Sequence, residues 1–280
     1  MRALANFIMQ GRVQAAVVAL IGLPLLSPAA VALVTLRRGA QDGALLLFWA
    51  VLPVLATLYF SEVNSLLTML SMISVVVLYG SAQLLRKTAS WPATLLGIVT
   101  ASAAASLVLA QAMPGQIEQL ISVVAEFLQQ AQAQLPKEQR LVEANQRLVL
   151  GFMALMFALF ALSALLLGRW WQSALYNPGG FQTEFHQLRL SPLVAGLCVL
   201  SAALSSDQSF VWSNLFALPM LITGIAVVHA VVALKKMGRV WLVMMYIGIT
   251  ILSSVFVFGL VLLAVLDTWI DFRSRLKAKP

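Results

Sequence analysis

Apolar positions along this chain come in long runs, and polar positions fall almost entirely between them. The runs cover residues 44–60, 66–85, 94–112, 148–167, 210–234 and 240–266, with a shorter one at 192–204. A helix needs about 20 apolar residues to cross the hydrocarbon core of a bilayer, so most of these runs predict membrane spans. The run at 192–204 requires tilt, local thinning or a half-span. A further apolar segment, 13–36, is interrupted by Pro24 and by Ser27-Pro28. It reads either as one kinked span or as two short helices turning at Leu26-Ser27-Pro28.

One stretch breaks the pattern. Between residues 115 and 147, Ile117, Leu120, Ile121, Val124, Phe127, Leu128 and Ala131 recur at helical spacing, and Glu118, Gln119, Glu126, Gln129, Gln130 and Gln132 fill the other positions. That periodicity predicts an amphipathic helix that does not span. Pro136 ends it, and a second helix can start between Lys137 and Asn145. The expected fold class is all-α: a polytopic helical membrane protein of about seven to nine membrane helices, broken or half-spans included. The expected organisation is one integral membrane domain over 1–280, with the polar insertion 115–147 inside it.

Composition strengthens this. The chain is 61% hydrophobic and 10% charged over 280 residues, more apolar surface than a soluble domain of that size can bury. The net charge of +8 changes the picture only through its placement. Arg37-Arg38, Arg86-Lys87, Lys235-Lys236 with Arg239, and the tail 273–279 are short clusters between apolar runs, as the positive-inside rule requires. No continuous basic face is offered to phosphates, so nucleic acid is not an expected partner. Cys198 is the only cysteine and lies in an apolar run, which excludes an intramolecular disulfide and a cysteine-rich metal site. Positions 1–36 give no clear signal-peptidase site, so the segment is expected to be retained.

The clusters also orient the chain. With Arg37-Arg38 cytoplasmic, two spans return the chain to Arg86-Lys87, and a third places 115–147 outside. The next brings Arg169 inside, and two more crossings return Lys235-Lys236. A break at Ser253-Ser254 and a break in 13–36 would keep both basic ends inside as well; unbroken spans would not. The charge rule favours the breaks.

Polar groups at membrane depth are expensive and therefore candidates for function. Glu62 and Asn64 follow Tyr59-Phe60 in a tight connection, readable as a solvated outer turn or as the polar lid of a ligand pocket framed by Tyr59, Phe60 and Trp49. His229 lies just before the cytoplasmic lysines and is placed either to bind a ligand or to hydrogen-bond between helices. Gln83, Gln111 and Asn214 read as helix-end or inter-helix hydrogen bonders, Asp207 as an N-cap, and the turn from Tyr176 to Gly180 as a hinge. Ala15/Ala19, Ala101/Ala105 and Ser102/Ser106 have the small-x-x-x-small spacing of close helix contacts, with internal packing the default. Only two histidines exist, His186 and His229. No serine-nucleophile, paired-aspartate or zinc-protease motif occurs. The expectation is no enzyme, no catalytic residues, no metal and no cofactor.

Two C-terminal stretches carry a resemblance. One runs from Leu221 through Gly224 to His229 ahead of the Lys235-Lys236 turn; the other is Asp267-Thr268-Trp269-Ile270-Asp271-Phe272-Arg273. Together they resemble the YybS family of bacterial membrane proteins, a domain of unknown function. Thr223 stands where that family is expected to have Gln, and Ile225 where Leu is usual. The resemblance makes Gly224, His229, Asp267, Asp271 and Arg273 signature positions and implies a multi-pass protein of the bacterial inner membrane. It extends distantly to the S subunits of energy-coupling-factor transporters and to MreD. Ala15-x-x-x-Ala19 is similar to the alanine pair by which such S subunits meet their transmembrane partner.

Two roles follow as expectations. One is a transporter-like subunit that binds a small molecule between its helices, with Glu62, Asn64 and His229 as ligand contacts. The other is a non-catalytic scaffold of an envelope complex. The expected partners are the lipid bilayer, a small-molecule ligand, and another membrane protein or a second copy of the chain.

Overall fold

The computed structural model describes residues 1–60, 65–133, 143–204 and 210–277, and every regular element among them is a helix. Segment 13–36 is broken. Helices α1 (Arg2–Gln10) and α2 (Arg12–Leu20) are followed by a turn in which Gly22 and Leu25 take positive φ around Pro24, and the chain then reverses into α3 (Leu26–Arg38). The Ser27 hydroxyl donates to the Val18 carbonyl at 2.7 Å, tying the first turn of α3 to the last turn of α2. From Ser27 to Leu36 every residue of α3 is buried. A helix apolar on all sides needs protein around it on all sides, and α4 (Ala40–Phe60), α5 (Ser65–Thr88) and α8 (Gln146–Tyr176) surround it.

Helix α8 is the axis of the bundle. It packs against α3, α5, α6 (Trp91–Ala112) and α11 (Phe210–Leu234). Gly168 sets the closest approach: a Cβ there would stand 2.7 Å from the Ala32 Cβ and 2.9 Å from the Ala29 carbonyl oxygen. Two of the three small-residue pairs face inward; in the third, Ala101 is exposed and Ala105 half-buried. Ala15, Ala19, Ser102 and Ser106 are all buried within this chain. The Ala15/Ala19 pair is therefore covered by the chain itself and presents no surface to a transmembrane partner.

Amphipathic α7 (Pro114–Gln132) lies where 115–147 predicts a helix, with Ile117 buried against the bundle and Glu118, Gln119 and Glu126 exposed. Of the second helix expected there, residues 134–142 lie outside the described residues. Asn145 caps α8, its side-chain oxygen accepting from the Leu148 N–H at 2.8 Å.

The C-terminal run is broken as well. Helix α9 (Gly180–Gln187) and α10 (Pro192–Leu204) meet at 71°. After α11 come α12 (Val240–Ile251), a break at Leu252, α13 (Ser253–Ile270) and α14 (Phe272–Lys277). In one continuous helix Gly248 and Phe256 would be about 12 Å apart. Here a Cβ on Gly248 would lie 2.5 Å from the Phe256 ring, so the chain folds back sharply at Leu252. Helix α13 then packs on α11 at Gly224, whose added Cβ would fall 2.1 Å from the Leu260 carbonyl oxygen.

By length and composition α4, α5, α6, α8 and α11 can each cross a membrane, and α9 with α10 passes the same test as a bent pair. These are the features of a helical membrane protein. The expected count was higher because segments 13–36 and 240–266 each divide into helices too short to pass that test alone.

At both glycine contacts the neighbour is backbone, which cannot swing aside. Gly224→Ala and Gly168→Val are each expected to destabilise the fold by roughly 1–3 kcal/mol of overpacking, read as a lower thermal unfolding midpoint in detergent. Gly259→Ala, with nothing within 4 Å of the added Cβ, is the neutral comparison.

Candidate functional site

The basic clusters meet at one end of the bundle. Arg86 of α5 donates to the carbonyls of Thr35 (3.3 Å) and Leu36 (3.0 Å), and Arg38 of α3 donates to the Met9 carbonyl (2.8 Å). Arg12 pairs with Asp42, and Arg37 lies over the Tyr176 ring, 4.1 Å from its centroid. Arg169 of α8 donates from Nε and Nη2 to the two oxygens of the Glu184 carboxylate, and the Trp91 indole N–H approaches the same carboxylate at 3.4 Å. Helices α6, α8 and α9 are joined there.

Asp267, Asp271 and Arg273 fold into the same end. Asp267 is wholly buried and accepts from Arg273 at 2.6 Å. Arg273 also donates to the carbonyls of His186 (2.8 Å) and Leu188 (2.9 Å). Arg189 pairs with Asp271 at 2.7 Å and donates to the carbonyls of Asp267 and Thr268. The two carboxylates Asp267 and Asp271 thus pair with Arg273 and Arg189 respectively. Trp269 is exposed beside them, as an interfacial anchor would be. Loss of hydration raises the Asp271 pKa, but the Ser274 backbone N–H, the Arg189 charge and the Ser274 hydroxyl outweigh it and hold the carboxyl below its ordinary range.

His229 belongs to this end. Its Nε2 is 2.9 Å from the Tyr246 hydroxyl, linking α11 to α12, and its ring meets Phe185 edge-on, with His186 alongside at 6.5 Å between centroids. That is an inter-helix hydrogen bond within an aromatic cluster. Gln83 donates to the Tyr79 hydroxyl, which donates to the Ala40 carbonyl, an inter-helix link of the kind its position suggested. Among the described residues no group of three or more His, Cys, Asp or Glu side chains could hold a metal ion.

A cavity of about 820 Å³ lies toward the other end. The turn at Gly22–Pro28 contributes to its wall, with Ala50 and Val54 of α4, Leu67 to Val75 of α5, and Leu120, Val124, Phe127 and Leu128 of α7. Helix α8 contributes Phe152, Met153, Met156, Phe157 and Phe160, and α11 contributes Phe210 and Val211. Among the described residues, no lining side chain is charged, and the polar ones are Ser27, Ser71 and Ser74, whose hydroxyls already donate to the backbone carbonyls of Val18, Leu67 and Leu70 respectively. That the two ends are opposite follows from α11, which starts beside α8's first turn, the Trp212 N–H donating to the Arg147 carbonyl at 2.8 Å.

The candidate contacts do not converge. His229 lies outside the cavity lining, near the far end of α11. Glu62, Asn64 and Asp207 lie outside the described residues. What sequence reasoning missed is the cavity wall on α8. Met153, Met156, Phe157 and Phe160 fall at i, i+3, i+4 and i+7, a one-sided stripe hidden inside a uniformly apolar run. No protein-family profile, curated protein or solved structure matches the chain.

The two ion pairs separate a buried interaction from an exposed one. Asp267→Ala, which strands Arg273 in a buried site, is expected to cost about 3–5 kcal/mol in unfolding experiments. Asp271→Asn, on a pair whose side chains are 34% and 36% exposed, is expected to cost roughly 1 kcal/mol or less. Because the folded-state pKa of Asp271 is depressed, its contribution is present above the ordinary value of 3.8 and is lost as pH falls through the folded value. The difference between wild type and Asp271→Asn should therefore disappear in acid.

Proposed function

We propose that this chain is a non-catalytic integral protein of the bacterial inner membrane that binds a small apolar molecule between its helices, as a transporter-like subunit would. The observation that carries the reading is the cavity. At about 820 Å³ it is in the size class of ligand sites, and a closely packed interior would have left no such space. The lining supplies apolar contact and no free hydrogen-bond donor from its serines, which suits an apolar ligand and penalises a polar one.

In this reading the arginine-rich end faces the cytoplasm. Helices α4, α5, α6, α8, α10 and α11 cross, while α2/α3 and α12/α13 enter and return from the cytoplasmic side. Six crossings with two broken hairpins account for the seven to nine apolar segments of the sequence. The kinship with the YybS family, and more distantly with energy-coupling-factor S subunits and MreD, is part of the same proposal. The apolar face of α7 lines the cavity, and the Ala15/Ala19 and Ser102/Ser106 pairs are internal, so most of the features first suited to a scaffold serve this chain's own packing.

Native mass spectrometry of protein purified in mild detergent tests the reading. A stoichiometric small molecule is expected on the wild type and is expected to be lost in Ser74→Trp, which fills the cavity. A reproducible protein partner with no small molecule would replace binding with a scaffold role.

A further inference from the structure

We infer that the molecule held in the cavity is the long hydrocarbon chain of a membrane lipid, taken in sideways from the half of the bilayer away from the arginine-rich end, with α7 as its cover. This rests on the binding role proposed above and names its ligand class.

Depth is the first argument. From Leu148 to Gly168 helix α8 rises about 30 Å, the thickness of the hydrocarbon core. Phe152 and Met156 then sit roughly 6 and 12 Å below its outer boundary. Both line the cavity and both are exposed, Phe152 by 55%, so the opening beside them faces lipid tails. Leu23, Leu67, Phe127 and Phe210 are exposed apolar lining residues as well, and the exposed polar side chain among the described lining residues, Ser71, has its hydroxyl bonded to the Leu67 carbonyl. Among the described residues, a water-soluble substrate crossing that rim would meet one exposed polar side chain, Ser71, whose proton is already donated to backbone.

The wall chemistry agrees. Ser27, Ser71 and Ser74 have spent their hydroxyl protons on backbone carbonyls, so a polar group brought inside loses its water and gains no serine donor. A methylene chain loses nothing and gains dispersion contacts with methionine and phenylalanine. Helix α7 has the form of a helix lying in the interface, with Leu120, Val124 and Leu128 over the cavity and Glu118, Gln119 and Glu126 toward water. Ile117 fixes its first turns while Phe127, farther along, is 68% exposed. A lipid tail beneath it would leave the headgroup at the level of the polar face of α7.

The test uses the full chain in vesicles of phosphatidylethanolamine and phosphatidylglycerol doped with a phosphatidylethanolamine bearing a photoreactive diazirine on one acyl chain. Saturable labelling is expected on the α7 and α8 wall, and unlabelled phospholipid should compete. Ser74→Trp and Ser71→Phe, each checked for an unchanged elution profile and unfolding midpoint, should cut that labelling by roughly tenfold. Labelling at Phe258 of α13, which is exposed and outside the cavity, should not change. Competition by a polyprenyl phosphate but not by phospholipid would overturn the acyl-lipid source. A water-soluble molecule retained in the cavity and displacing the label would overturn the lipid assignment while leaving the binding role intact. Non-saturable labelling, equal at Phe258 and on the cavity wall and unmoved by either variant, would overturn the lipid assignment; with no small molecule retained, it would remove the binding role too.

Discussion

Unpaired helix-end carbonyls are the constraint on which this architecture depends. Near lipid each open carbonyl is costly, and a fold built from broken segments creates more helix ends than a simple bundle of spans. The chain closes four of them with arginine. Arg38 caps α1, Arg86 caps α3, Arg273 caps α9 and Arg189 caps α13. Each guanidinium brings several donors in one plane and a charge that suits the negative end of a helix dipole. These residues supply part of the topological signal and also bond the structure together.

One consequence is an asymmetry between the two ends. At the arginine-rich end the termini of α1, α3, α9 and α13 are tied to other elements by charged hydrogen bonds, and Asp267 supplies the countercharge for Arg273 inside the protein. At the other end the described contacts are mostly apolar, apart from the Trp212 link to Arg147. The reversal at Gly22–Leu25 carries the chain from α2 back into α3 before it reaches that end, and the cavity occupies space above the turn. The broken N-terminal segment therefore supplies both the buried packing partner of α8 and part of the cavity wall.

Much of this was legible in the sequence. The ends of α10 and α11 coincide with the ends of their apolar runs, and the period of residues 117–131 located α7. The charge rule favoured the breaks that occur at Pro24 and at Leu252, because only broken segments keep both basic ends together. Helix α8 extends beyond its apolar run at both ends, and past Arg169 its Trp171 and Leu175 still pack into an apolar cluster. The site was much less legible. Arg189 and Asp271, or Arg273 and His186, are more than 80 residues apart, and nothing local pairs them. The cavity is an arrangement of apolar faces from six elements, invisible where whole runs are apolar. Polarity at depth pointed to His229, whose polar edge is bonded to Tyr246.

The central claim is that both broken segments return to the arginine-rich face, so that the first helix and the last share one side of the membrane. Cysteine accessibility in sealed membrane vesicles of known orientation measures this directly, on a Cys198→Ala background. Ser274→Cys and Asn6→Cys should react with a membrane-impermeant thiol reagent from the cytoplasmic face, and Gln119→Cys only from the opposite one. Labelling of Ser274→Cys from the same side as Gln119→Cys would mean that the C-terminal segment crosses the membrane and would contradict the account.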